Sequence, residues 1–187
     1  MLFLVGGTSR SGKTLIARKI LAGRGTPYLS LDWLMMGFND GIPEYGIHHL
    51  LWPNEIAVKM WPFLRGMIDC MLVDGMDYVI EGEAMLPELL AELVEKNPDR
   101  IRVVFVGYTE IDVKDKVALV KKHGGGENDW LVNKSDDYIR DHIENMIAHS
   151  KMIKDECAKY DLSYVDTSED FPGAIQAATD FLVGDAN

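Results

Sequence analysis

Positive charge is scarce in this chain: 19 Lys and Arg stand against 30 Asp and Glu over 187 residues, a net charge of −11. A surface of that sign repels nucleic acid and anionic lipid, so neither is an expected partner. Any anionic ligand must then be met by a local cluster of positive charge and free N–H groups. Cysteine is scarcer still. Cys70 and Cys157 are far apart and show no metal-ligand spacing; two lone thiols fit a reducing cytoplasm better than a disulfide framework, and both are expected in the core. No apolar run reaches the ~20 residues of a membrane span. The opening Met1-Leu2-Phe3-Leu4-Val5 lacks the charged flank of a secretory signal and reads as a buried first strand. No segment is of low complexity. With 47% hydrophobic and 26% charged residues, the composition is that of one globular domain spanning residues 1–187.

What the chain does have is alternation. Leu2 to Val5 is a short continuous apolar run, as in a parallel strand covered on both faces. Gly6 to Ser11 is a glycine-rich turn. Gly12 to Ala22 has helical spacing, with Leu15, Ile16, Ile20 and Leu21 on one side and Gly23 as its stop. Further strands are expected at Pro27 to Leu31, Asp77 to Ile80, Ile101 to Val106 and Leu162 to Val165. Helices are expected from Pro53 towards Val73, kinked or divided at Pro62; from Pro87 through Leu93 and Val94; from Asp112 to His123; from the cap Ser135 along Ile139, Ile143, Met146, Ile147 and Ile153; and from Pro172. Two stretches lack clear periodicity, Trp33 to Trp52 and Gly124 to Lys134, and read as lids or binding loops. Strands alternating with helices define an α/β domain, a parallel sheet with helices on both faces and right-handed crossovers.

Between the first strand and the first helix stands Gly7-Thr8-Ser9-Arg10-Ser11-Gly12-Lys13-Thr14, a full match to G-x-x-x-x-G-K-[ST]. The glycines let the backbone wrap a phosphate without Cβ clashes. Successive N–H groups form an anion nest, and the helix adds its N-terminal dipole. Lys13 supplies a point charge for the β- and γ-phosphates, and the Thr14 hydroxyl a ligand for Mg²⁺.

A phosphate-binding loop six residues from the start, in a domain of this size, resembles the nucleoside-monophosphate-kinase-like branch of P-loop kinases. That branch includes adenylate, shikimate and gluconate kinases, chloramphenicol phosphotransferase and the P-loop 2-phosphoglycerate kinases. The short stretch Val79-Ile80-Glu81-Gly82, followed by Leu86-Pro87, is similar to the last of these. The resemblance implies a three-layer P-loop fold with five parallel strands in the order 2-3-1-4-5. It also implies ATP and Mg²⁺ as cofactors, and transfer of the γ-phosphoryl group to a hydroxyl of a small molecule. A nucleotide kinase and a catalytically weak nucleotide-binding regulator are the alternatives.

The resemblance also assigns positions. Asp32, after the second strand, matches the acid that accepts the hydroxyl proton or holds magnesium through water; the alternative reading is an N-cap for the helical segment beginning at Trp33. Glu81, at the end of the third strand, is placed to organise the metal together with Thr14, whereas Glu83 reads as a solvated loop acid. Residues 33–75 would hold the acceptor, with Arg65 as a positive charge for it, and His48 and His49 exposed. Residues 112–140 would form the lid. Family lids carry arginines, but none lies between Thr109 and Ile139 here. Each of Lys116, Lys121, Lys122 and Lys134 reads singly as a surface charge, and Lys122 and Arg140 are the candidates for the missing role. Thr167, after the fifth strand, would lie near adenine.

Overall fold

The computed structural model describes residues 1–124, 129–131 and 133–184. In chain order the elements are β1 (Leu2–Gly7), α1 (Lys13–Arg24), β2 (Tyr28–Ser30), α2 (Leu31–Gly41), α3 (Pro53–Asp74), β3 (Tyr78–Glu81), α4 (Pro87–Lys96), β4 (Ile101–Gly107), α5 (Val113–His123), α6 (Asp136–Lys159), β5 (Ser163–Asp166) and α7 (Phe171–Val183). The five strands form one parallel sheet in the order β2-β3-β1-β4-β5, as the resemblance implies.

The pleat explains why β1 is apolar throughout. Successive side chains point to opposite faces. Leu2 and Leu4 join Ile80, Val103 and Phe105 in a core covered by α2, α3, α4 and α6. Phe3 and Val5 join Val79, Val104 and Val106 in a second core under α1 and α7. A third, smaller cluster stands apart: Val120 on α5 packs with Leu131, Ile139 and Ile143.

Several boundaries differ from the sequence reading, each for a physical reason. Helix α1 runs through Gly23 and ends at Gly25, whose φ of 71° and N–H bond to the Leu21 carbonyl close the last turn. The stretch from Trp33 is not irregular at its start. It is the body of α2, where Leu31 and Phe38 are buried on one stripe two turns apart, while Trp33 and Met36 are exposed and mask the pattern. Pro62 does not divide α3, a single helix of 22 residues. The bond it removes would have reached Val58, which is 57% exposed, so water can satisfy the freed carbonyl. Cys157 is buried, and burial pushes its thiol up to about 12. Cys70, expected in the core, is exposed. The buried stripe of α3 is Ile56, Met60, Leu64, Ile68 and Leu72, and position 70 falls on the opposite face. Gly125 and Gly126, the middle of the expected lid break, lie outside the described residues.

The strand-to-loop corner depends on Gly7. Its φ is +131°, and a Cβ there would sit 1.9 Å from the Val106 carbonyl oxygen. Gly7→Ala should therefore cost about 3 kcal/mol of stability or more, read as a lower urea midpoint.

Candidate active site

The loop from Gly7 to Thr14 closes over the carboxyl end of β1, where ligands of open parallel sheets bind. Its carbonyl groups are held both from within the loop and from outside it. The Thr8 carbonyl accepts bonds from Ser11 Oγ and Lys13 Nζ, both at 2.7 Å. The Ser9 carbonyl accepts from the Tyr108 hydroxyl at 2.9 Å, and the Arg10 carbonyl from Lys116 Nζ at 3.1 Å. The Thr8 hydroxyl meets Ser150 Oγ of α6 at 2.9 Å. Gly12, with φ of 102°, turns the chain into α1, whose first N–H groups have no intrahelical partner. A Cβ on Gly12 would lie 2.3 Å from Ile175 Cδ1. A glycine-rich turn leading into free helix-start N–H groups is chemically suited to an anion.

Carboxylates line the opposite wall. Thr14 Oγ1 donates to Glu81 Oε1 at 3.1 Å. Glu81 is 2% exposed; burial raises its pKa, while the nearby Lys13 charge and a hydrogen bond from Ser30 pull the other way. The charge of Asp32 acts on both Glu81 and Glu83. Asp32 is exposed in the first turn of α2, whose N-cap position belongs to Ser30, so it does not cap that helix. A hydroxyl and carboxylates are hard oxygen donors and fit Mg²⁺, which keeps several waters. Among the described residues, no cluster of three or more His, Cys, Asp or Glu forms a ready-made metal cage.

Two residues differ from their sequence reading. Glu83 is not a solvated loop acid. Its Oε1 lies 3.7 Å from Lys13 Nζ, it is hydrogen-bonded to Ser9, and burial raises its pKa against the pull of Lys13. Lys116 is not a surface charge. It is 5% exposed, and its Nζ lies 3.7 Å above the Tyr108 ring as well as on the Arg10 carbonyl. Burial, with the neighbouring Arg10 charge, pulls its pKa from 10.5 down to about 8. Because the folded pKa is lowered, folding disfavours the charged form. That cost is full below pH ~8 and is gone above ~10.5. Lys116→Met should thus raise the Tm of the nucleotide-free protein at pH 7, with the gain shrinking as pH rises through that window. A lower Tm for the variant at pH 7 would mean that the lysine's contacts outweigh its burial.

The remaining sequence candidates are dispersed. Lys122 is exposed in the last turn of α5. Arg140 is half exposed among Asp137, Asp141 and Glu144, at 3.1, 3.3 and 4.0 Å. Arg65 pairs with Asp69 on its own helix at 3.0 Å. Thr167 is buried, and its N–H and hydroxyl both bond the Gly107 carbonyl, at 2.8 and 3.0 Å. Beside it, burial raises the Asp166 carboxyl, but hydrogen bonds from Ser168 and Thr109 outweigh that and hold it below its ordinary range. The loops after β4 and β5 are thereby laced together. Arg10, within the nest, pairs with Asp129.

A parallel sheet of this order with a phosphate nest after its central strand is the fold of the P-loop small-molecule kinases. A gluconokinase from Sinorhizobium meliloti 1021 is similar over 97% of this chain and 90% of its own, with a TM-score of 0.57 at 17% identity. A shikimate kinase from Bacteroides thetaiotaomicron is similar over 98% of both chains, with a TM-score of 0.58 at 15% identity. A sugar kinase from Janibacter sp. HTCC2649 is similar over 97% and 94%, with a TM-score of 0.56 at 19% identity. The sequence matches no protein-family profile and no curated protein. Among the described residues no helix is long and apolar enough to cross a membrane.

Proposed function

We propose that the protein is an ATP- and Mg²⁺-dependent kinase that phosphorylates a hydroxyl of a small molecule. The observation that carries the reading is the meeting of Thr14 and Glu81 at 3.1 Å, beside Lys13 and under a complete phosphate nest. Lys13 and the loop N–H groups hold the β- and γ-phosphates. Thr14 and Glu81 hold the metal, directly or through water. When bound, Mg²⁺ neutralises charge on those phosphates. Asp32 accepts the proton of the acceptor hydroxyl as its oxygen bonds the γ-phosphorus. The bond from that phosphorus to the β–γ bridging oxygen breaks, and ADP leaves. Residues 33–75 form the acceptor side and residues 112–140 the lid, with Lys116 the lid cation that meets the loop.

Gluconokinase and shikimate kinase among the similar structures support a hydroxyl acceptor. A nucleotide kinase would need several arginines for the acceptor phosphate. Only Arg65 lies between Trp33 and Asp99, and Asp69 engages it. The pairing of Arg140 with three acids favours, as a second reading, a nucleotide-binding protein of weak activity. ADP release measured with Mg-ATP and a panel of hydroxylated metabolites separates the two. Acceptor-dependent ADP release is expected; tight Mg-nucleotide binding with no turnover on any acceptor would favour the second reading, and absence of Mg-nucleotide binding would overturn both.

A further inference from the structure

Both cations of the phosphate loop are already met by acids of the chain itself. Glu83 Oε1 lies 3.7 Å from Lys13 Nζ, and Asp129 Oδ1 accepts a bond from Arg10 Nη2. The two acids follow the two strands that flank β1. Glu83 comes two residues after β3, and Asp129 comes after β4 and α5. Neither is a loose surface charge. Glu83 is also hydrogen-bonded to Ser9 of the loop. The Asp129 side chain is 6% exposed, and its Oδ1 also accepts the Leu131 N–H at 3.1 Å. Leu131 in turn is buried with Val120, Ile139 and Ile143. Each carboxylate is thus held at the loop by contacts of its own.

Arg10 is the less expected of the two cations. Its φ is +60°, in the left-handed region, where a residue with a Cβ is disfavoured and glycine is not. A residue kept in that conformation on a binding loop points to a use for its side chain. The bond to Asp129 takes one terminal nitrogen of a guanidinium that carries five N–H donors. Lys13 has three donors, of which the Thr8 carbonyl takes one. Both cations can therefore turn to a phosphate, but only by giving up or sharing a carboxylate. Two anions on one cation repel each other. A single phosphate gains one cation and must offset that repulsion alone. A polyphosphate lying along the loop gains both cations and the loop N–H groups within one ligand, so its contacts reinforce one another.

We propose that Glu83 and Asp129 are internal counter-ions that occupy the empty phosphate loop, one on Lys13 and one on Arg10, and that a polyphosphate binds by displacing both. They set the threshold an anion must pass: inorganic phosphate fails it and a nucleoside triphosphate clears it. This rests on the nucleotide-binding half of the kinase reading and adds Arg10 as its second phosphate cation.

The test uses the full chain and two probes, inorganic phosphate and a non-hydrolysable ATP analogue with Mg²⁺, read by calorimetric titration and thermal shift. Wild type should bind the analogue and should bind inorganic phosphate far more weakly. Glu83→Gln and Asp129→Asn keep side-chain size and a hydrogen-bonding oxygen but remove the charge. Each should tighten both probes by about tenfold, the order expected for one unit charge at ~4 Å near a protein surface. Arg10→Gln should weaken the analogue. In that background Asp129→Asn should bring no gain, while Glu83→Gln keeps its own. This cycle separates a specific counter-ion from a general lowering of negative charge. Circular dichroism checks each fold, and Glu83→Ala and Asp129→Ser repeat the test where an amide variant does not fold. The proposal is overturned if either charge-removing variant binds both probes no more tightly than wild type, or if the Asp129→Asn gain survives beside Arg10→Gln. Each of those results leaves the kinase reading intact. A wild-type chain that does not bind the Mg-nucleotide analogue defeats that reading, and the proposal with it.

Discussion

Lys13→Ala should abolish tight Mg-nucleotide binding while leaving the fold standing. Lys13 is 8% exposed and makes no apolar contribution to either main core. Its ammonium bonds the Thr8 carbonyl at 2.7 Å and lies 3.7 Å from Glu83. Removing it does more than delete an attraction. Glu83 and Glu81 both lose the cation that opposes their burial, so an incoming polyphosphate faces uncompensated carboxyl groups. Loss of one preorganised donor to developing charge costs roughly 10²–10³ in turnover; with the carboxylates uncovered, the fall should be at least that large. Calorimetric titration with an ATP analogue reads the binding loss, and circular dichroism checks the fold. Adding Glu83→Gln to Lys13→Ala should restore part of the affinity. Unchanged nucleotide affinity in a folded Lys13→Ala protein would sink the assignment of this loop.

Asp32→Asn should separate catalysis from binding. The variant keeps size and polarity but cannot accept a proton. Turnover of the acceptor should fall roughly 10²–10⁴-fold, the range of a positioned general base. Nucleotide affinity should change little, since the nest is built from the loop itself. The fold should tolerate the change, because Ser30 occupies the N-cap position of α2; the loss is confined to a favourable charge at a helix start, ~0.3–1 kcal/mol. With the Asp32 charge gone, Glu81 and Glu83 lose one of the influences that raise them. If Asp32 chiefly organises the metal, turnover recovers in part as magnesium is raised. Near-wild-type turnover at saturating magnesium would rule out Asp32 as the base.

The fold was legible because its signal is local. Buried strands announce themselves as short apolar runs, and the phosphate loop is eight consecutive residues between a strand and a helix. Helix α2 escaped because Trp33 and Met36 put large apolar groups on its exposed side, which blurs the period. The strand order came from resemblance, since periodicity says which faces are buried and never which strand lies beside which. The same limit governs the site. Thr14 with Glu81, Arg10 with Lys116 and Thr8 with Ser150 are pairs separated by 67, 106 and 142 residues. Lys116 had a clue in its spacing, three residues after Val113 and four before Val120 on the buried side of α5, but a lysine there is read as a surface charge until its contact with the Tyr108 ring is seen. Glu83 had one available clue, its place two residues beyond the strand-ending Glu81.

The position of β1 has a consequence for synthesis. It is made before every other strand, yet it is the middle strand of the finished sheet, and one of its two partners is β4, with Leu2 beside Ile101. Until β4 emerges, one edge of β1 stays unpaired; until α7 emerges, Phe3, Val5, Ile16 and Ile20 lack their cover of Ile175, Ala178 and Leu182. Until then the growing chain exposes a sticky apolar strand, the condition that recruits holding chaperones. A nascent chain stalled before Ser150 would carry the entire phosphate-binding motif and still lack one of the clamps that shape it.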